Sequence, residues 1–234
     1  MIEQSSNSVE DIVRTMLKRF EKASVVLATV LVLGGGSWVA TTRPAAAQVL
    51  FEERGSLAPM QNEYTFAGKA GDTVTISMTS TDFDTFLVLQ SPSGQEIASN
   101  DDYARSLNST IVITLPSNGT YKVLARSFSG QGGNYLVTVR PATPYDQAYS
   151  RATEVYRTGD MNAALTAFNE AIRLDSSRPE AYLDRADVHY VQGNLNGTRA
   201  DYQRAIALYE QQGNSDMAQM LREQLTYLDE VPPQ

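Results

Sequence analysis

The chain has 234 residues, with 27 Asp and Glu against 19 Lys and Arg and a net charge of −8. That carboxylate excess argues against sequence-independent binding to nucleic acid, whose phosphates demand Lys and Arg. The absence of cysteine excludes disulfides, thiol catalysis, Cys-type zinc sites and lipid attachment through an N-terminal Cys, while 42% hydrophobic residues suffice for the cores of one large or two ordinary domains.

Residues 1–47 read as a leader. Arg14, Lys18, Arg19 and Lys22 precede an apolar run from Ala23 to Leu33, which Gly34-Gly35-Gly36 breaks. Ala45 and Ala47 then place small residues where a signal peptidase reads them, so the pattern predicts a secretory signal cleaved before Gln48. Upstream, Val9, Ile12, Val13, Met16, Leu17 and Phe20 make an amphipathic helix. The alternative is an uncleaved N-terminal anchor with its positive charges on the cytoplasmic side, although the apolar run is short for a span of about 20 residues. Either reading exports the remainder, and the membrane enters only through this segment if it is uncleaved.

From Gln48 to Pro141 the period is that of strands. Asn62–Phe66, Thr73–Met78, Thr110–Leu115, Tyr121–Leu124 and Tyr135–Val139 alternate or run in β-branched residues, and Gly71-Asp72, Pro92-Ser93-Gly94 and Ser117-Asn118-Gly119 punctuate them. Short strands with such turns predict an antiparallel sandwich. The connections leave no room for crossover helices, which excludes a parallel sheet.

The order of residues here also resembles the bacterial pre-peptidase C-terminal domain. The match runs through Asp84-Thr85-Phe86-Leu87-Val88-Leu89, Gly94, Ile97-Ala98, Asn100-Asp101-Asp102, Ser109 with Ile111, Leu115-Pro116 before Gly119 and Tyr121, and Gly133 with Tyr135 and Val139. The resemblance implies a jelly-roll-like β-sandwich that accompanies secreted hydrolases without being catalytic, with carbohydrate or matrix attachment as its proposed role. Asp84, Asn100, Asp101 and Asp102 fall on two adjacent loops, and their oxygens are of the type that ligates calcium. The competing reading is a turn in which Asn and Asp bond their own backbone. No other cofactor is expected.

After a short joint, Pro141-Ala142-Thr143-Pro144, residues 144–231 are predicted to be helical. Shifting the chain by 34 positions lays Arg151 on Arg185, Ala152 on Ala186, Tyr156 on Tyr190, Gly159 on Gly193, Phe168 on Tyr202, Ala171 on Ala205 and Ile172 on Ile206. A repeat of this length and composition, twice over residues 145–209, resembles the tetratricopeptide repeat. Small Ala152 and Ala186 let helix axes approach, and Gly159-Asp160 and Gly193-Asn194 turn the chain. Two such units leave a face open, since these arrays generally need about three to be stable. Ser215 as N-cap, Asp216, and Met217, Met220, Leu221, Leu225 and Leu228 on one face predict a capping helix over 215–230, with Pro232-Pro233 beyond it.

The repeat resemblance implies a concave face lined by the first helix of each pair. Tyr149, Thr153 and Tyr156 from the first copy, and Leu183, Asp184, Asp187 and Tyr190 from the second, are the candidate partner-binding residues. Tyrosines supply anchors, and the acids would take a Lys or Arg from the partner. The Lys and Asn clamp that some relatives use for a C-terminal carboxylate is missing, with Thr153 and Asp187 where Asn would stand. The rival reading is that the tyrosines pack on the sandwich or the capping helix. The lone His189 has no partner His or Cys and reads as packing.

These elements predict an exported, non-enzymatic interaction or scaffold protein of the bacterial envelope that binds a protein or peptide through the repeat face. The alternative is polysaccharide or cell-wall binding through the sandwich. An enzyme ranks below both, for want of any nucleophile or metal motif.

Overall fold

The structure is a computed structural model that describes residues 49–57 and 61–230. The leader, its cleavage site and Pro232-Pro233 lie outside the described residues. Among the described residues eight strands come first: β1 Phe51–Leu57, β2 Asn62–Gly68, β3 Thr73–Thr79, β4 Thr85–Gln90, β5 Glu96–Asn100, β6 Ser109–Thr114, β7 Gly119–Ser127 and β8 Gly133–Pro141. Five helices follow: α1 Pro144–Arg157, α2 Met161–Leu174, α3 Pro179–Val191, α4 Leu195–Gln211 and α5 Ser215–Glu230.

The strands form two four-stranded antiparallel sheets, ordered β1-β8-β3-β6 and β2-β7-β4-β5. Side chains alternate across a strand, so Val74, Ile76 and Met78 of β3 and Tyr135, Val137 and Val139 of β8 all point to one face. They meet Leu87, Leu89, Tyr121, Val123 and Ala125 from the other sheet. Phe66 stacks on Tyr121 at 5.6 Å between ring centroids, and the Tyr121 hydroxyl donates to Ser117 O at 2.7 Å. Each large side chain removed from water here contributes about 1.5–3 kcal/mol.

The sandwich is therefore of the predicted class, with three strands the alternation did not predict. β1 is polar in sequence and pairs with β8 through its backbone. β4 is a continuous apolar run, and Leu87, Val88 and Leu89 are all buried. β5 is a five-residue edge strand.

The helices follow from local signals. Thr143 and Asp146 form a capping box at the start of α1, with Pro144 in the first turn. Asp160 and Asn194 cap α2 and α4. The turns between paired helices need positive φ, +86° at Gly159 and +74° at Gly193, which glycine adopts without steric cost. Ala152, Ala164, Ala171, Ala186 and Ala205 are fully buried at the crossings. Helix α5 lays Ala218, Leu221 and Leu228 against the core of the second pair, as a cap should. Its N-cap is Asn214 and not Ser215: Asn214 Oδ1 accepts from Met217 N at 3.2 Å, because an acceptor one residue earlier reaches that third amide of the helix. Among the described residues, no helix is long and apolar enough to cross a membrane.

Candidate partner-binding site at the domain junction

Residues 101–108 connect β5 to β6 and carry a tight turn. Ser106 N donates to Tyr103 O at 3.1 Å and Tyr103 N to Ser106 O at 3.4 Å, while Ser106 Oγ donates to the same Tyr103 carbonyl. Between them Ala104 and Arg105 have φ of 52° and 60°. Positive φ at both central residues belongs to the type I′ turn, where Asn and Gly are preferred. A residue with a Cβ costs about 1–2 kcal/mol there, so the turn needs contacts that hold it.

Arg105 supplies them. Its Nε donates to Asp184 Oδ1 at 2.8 Å, and one Nη donates to Leu183 O at 3.2 Å and to Asp187 Oδ2. Both carboxylates lie on α3, one helical turn apart and on the same face. The arginine side chain is 9% exposed, so the guanidinium is enclosed by the repeat domain. Asp184 is braced from behind, where the Tyr149 hydroxyl donates to its other oxygen at 2.5 Å. Tyr103, two residues before Arg105, sets its ring edge-on to Tyr149 at 5.4 Å. Tyr149 in turn stacks on Tyr145 at 5.6 Å and leans on Phe168. The loop thus brings one cation and one ring to a surface made of two acids and a tyrosine ladder.

The electrostatics follow from enclosure. Burial alone would lower the Arg105 guanidinium, but Asp187 and Asp184 hold it well above its usual range. Burial raises the Asp187 carboxyl, and Arg105 offsets only part of that. Burial and the Asp184 charge push the Tyr149 hydroxyl up. Burial, with the Asp187 charge, pushes Tyr202 up to about 12.

A second charged cluster lies at the root of the helices. Asp146 accepts from both Nη atoms of Arg140 on β8, from Thr75 Oγ1 on β3 at 3.2 Å and from Thr143 N at 2.8 Å. Burial would raise its carboxyl, but the bonds from Arg140 and Thr143 outweigh this and hold it below the usual range. Together with the Arg105 contact, this fixes α1 and α3 against one end of the sandwich.

The predicted groove residues divide accordingly. Asp184 and Asp187 do take an arginine, but it comes from the same chain. Tyr149 and Leu183 are 1% and 0% exposed, so both are core residues and not open anchors. Their helix faces are covered by the loop and by packing within the repeats. Thr153 donates to Ser150 O within its own helix. Tyr156 and Tyr190 are half-buried. Arg105 itself escaped the sequence reading; the available signal was an arginine following the acidic run Asp101-Asp102.

Of the residues read as calcium ligands, Asn100 donates to Asp102 O and accepts from Thr110 N at 2.8 Å, and Asp101 Oδ1 accepts from Asp102 N. These three form one turn, and Asp84 precedes β4, which pairs with β5 at Leu87 and Asn100. Among the described residues, no group of three or more His, Cys, Asp and Glu is arranged to hold a metal ion. His189 Nδ1 lies 3.1 Å from Asn194 Nδ2, and a Cβ on Gly197 would meet its ring at 2.7 Å. It fills the α3–α4 crossing.

Residues 62–127 match the family model of the bacterial pre-peptidase C-terminal domain, and residues 153–193 match that of the TPR repeat. The chain thus carries the two modules in that order. Curated proteins give no significant match. Among solved structures, the chain is 18% identical to the Aeromonas hydrophila protein PliG, a periplasmic inhibitor of g-type lysozyme, with 44% of this chain and 93% of that one covered and a TM-score of 0.35. It is 19% identical to the pre-peptidase C-terminal domain of Bacillus anthracis collagenase, covering 42% and 99%, with a TM-score of 0.34.

Proposed function

We propose that the protein is a non-catalytic interaction protein working outside the cytoplasm, with the first-helix face of its repeats as the recognition surface. One observation carries this reading: the face sets Asp184 and Asp187 on a guanidinium brought by a separate loop, with the Tyr149 hydroxyl bracing Asp184 from its other oxygen. A surface that organises two carboxylates on one helix turn is built to hold a cation in a fixed orientation, because arginine presents its donors as a rigid fork. Both modules belong to non-catalytic families, which supports the absence of an enzymatic role. The leader pattern and the sandwich family support export.

The test uses the exported protein. Partners cross-linked to the wild-type chain in an envelope preparation are identified, and their affinity is measured again on Asp187→Asn and Tyr190→Ala. Loss of affinity per folded molecule, whatever the change in melting temperature, supports recognition through this face. Lower stability with unchanged affinity assigns the repeats to structural support and removes the reading. N-terminal sequencing of the exported form checks the leader: a start at Gln48 is expected, and a start at Met1 in the membrane fraction means an anchor.

A further inference from the structure

We infer that the α1–α3 face is a receptor for an arginine displayed on a tight turn with an aromatic ring two residues before it, and that the loop of residues 101–108 fills this receptor in cis, so that a protein partner carrying such a turn competes with it. The inference rests on the repeat face being the recognition surface and adds the chemistry of the partner and the means by which the site is kept closed.

The occupant defines what the site takes. Arg105 is held by Nε on one carboxylate and by Nη on another and on the Leu183 carbonyl. That divergent arrangement uses three acceptors at different places around the guanidinium plane. A lysine ammonium, a point charge on a flexible stem, does not reproduce the fork. The ring of Tyr103 against Tyr149 supplies the apolar half of the contact. The backbone at Ala104 and Arg105 is in the left-handed region, and neither is glycine. The loop therefore holds a conformation its own sequence disfavours, which weakens the cis contact relative to a partner whose turn carries Asn or Gly at those places.

The closed arrangement is also one that can open. The two domains join through Ala142-Thr143, between the end of β8 and the start of α1. Among the described residues, Tyr103 and Ala104 pack on the helical core, and the Arg105 and Asp146 clusters add charged contacts across the junction. Junctions of this polar kind permit relative domain motion. A partner then sees an affinity reduced by the fraction of molecules that are open.

The test uses the full chain and a backbone-cyclised peptide with the sequence of residues 101–108, Asp-Asp-Tyr-Ala-Arg-Ser-Leu-Asn. The double variant Tyr103→Ala with Arg105→Ala vacates the site by removing both side chains that fill it, and Tyr103→Ala with Arg105→Gln does so while keeping most of the arginine stem; far-UV circular dichroism identifies the folded variant to be used. Calorimetric titration is expected to show at least 10-fold tighter binding of the peptide to the vacated chain than to wild type. Adding Asp187→Asn should weaken it at least 10-fold, and a peptide with alanine or lysine in place of the arginine should lose most of the affinity. Equal affinity for wild type and the vacated chain, no binding to the vacated chain, or indifference to the arginine each overturns the inference. A vacated chain that binds the peptide while no envelope partner depends on Asp187 keeps the receptor chemistry and removes the proposed function, so the two failures are told apart.

Discussion

Arg105 of the sandwich and Asp184 of the second repeat stand 79 positions apart in the chain and 2.8 Å apart in space. The contact joins two modules whose sequences follow unrelated periods, and it stabilises the loop that carries the arginine as much as the junction. Removing one member leaves the others enclosed and uncompensated. Arg105→Ala places Asp184 and Asp187 on one helix face without their cation, and breaking such a buried pair costs about 3–5 kcal/mol. Because the acids are 16% and 23% exposed, the lower end of that range is expected. Urea unfolding of Arg105→Ala, Asp184→Asn and the double variant checks it: the double variant should be less destabilised than the sum of the single ones. Additive effects would mean that the pair does not couple.

A turn with two left-handed residues, neither of them glycine, offers a stabilising change. At Ala104, φ is 52°, so Ala104→Gly relieves a cost of about 1–2 kcal/mol, offset in part by the greater freedom of glycine in the unfolded chain. The expected net gain is a few tenths of a kcal/mol to about 1 kcal/mol, read as an increase in the denaturation midpoint. Ala104→Val, β-branched at positive φ, should shift the midpoint the other way.

Much of this architecture is legible in the residue pattern, and the parts that are not share a cause. The period that sets Ala152 on Ala186 and Gly159 on Gly193 fixes both helix crossings and both turns, because close approach and positive φ admit few residue types. Strand β3 is legible because Val74, Ile76 and Met78 alternate with polar neighbours. Strand β1 is not, because Phe51-Glu52-Glu53-Arg54 is held by backbone pairing at a sheet edge. Strand β4 is not, because Leu87, Val88 and Leu89 are buried without alternation. The pattern marks Asp184 and Asp187 as acids on one helix turn that would take a Lys or Arg. Which cation pairs with them depends on how two domains are set together, and no local pattern encodes that.

The Asp146 cluster predicts an acid limit. Its carboxyl is held below the usual range, so it binds its proton more weakly folded than unfolded. The stability it contributes is complete above the unfolded value, about 3.9, and is lost as pH falls through the lower folded value. Asp187 acts in the opposite sense: its carboxyl is raised, so its contribution is complete below the unfolded value and is lost as pH rises through the folded one. Melting temperatures between pH 2 and 6 should therefore fall less steeply toward acid in Asp146→Asn than in wild type, from a lower starting point. A wild-type slope retained in Asp146→Asn assigns the acid limit to other carboxylates.

The turn at Asn100 predicts the response to calcium. The amide oxygen of Asn100 accepts from Thr110 N and the Asp101 carboxylate accepts from Asp102 N. Both oxygens thus serve the turn itself, and among the described residues no group of three or more His, Cys, Asp and Glu is arranged to hold a metal ion. Calorimetry with millimolar calcium and with chelator is expected to give the same melting temperature. A rise with calcium would establish a site by mass action, and its loss in Asp101→Asn would place the site on this rim. Asn100→Ala should destabilise the sandwich in either case, by about 1–3 kcal/mol for a backbone donor left without its acceptor.

The close crossing of α1 and α2 is the last point at which sequence and packing meet. Ala152 and Phe168 are both fully buried, and Tyr149 and Tyr156 each lie within about 6.5 Å of the Phe168 ring, centroid to centroid. Ala152 belongs to the same buried cluster as these rings, so a larger residue there overpacks it, and a shift of Tyr149 would disturb the hydroxyl that braces Asp184 at 2.5 Å. Ala152→Leu should therefore cost about 1–3 kcal/mol as overpacking and should also loosen the Arg105 loop, although the substitution lies in neither the loop nor the acids. Hydrogen exchange separates the two effects. Amides of residues 103–107 should exchange faster in Ala152→Leu while those of β3 and β8 keep their protection, because Ala152 lies in a helical core separate from that of the sandwich. Unchanged exchange in the loop would show that Tyr149 is dispensable to the closed site, and that Asp184 is positioned by α3 alone.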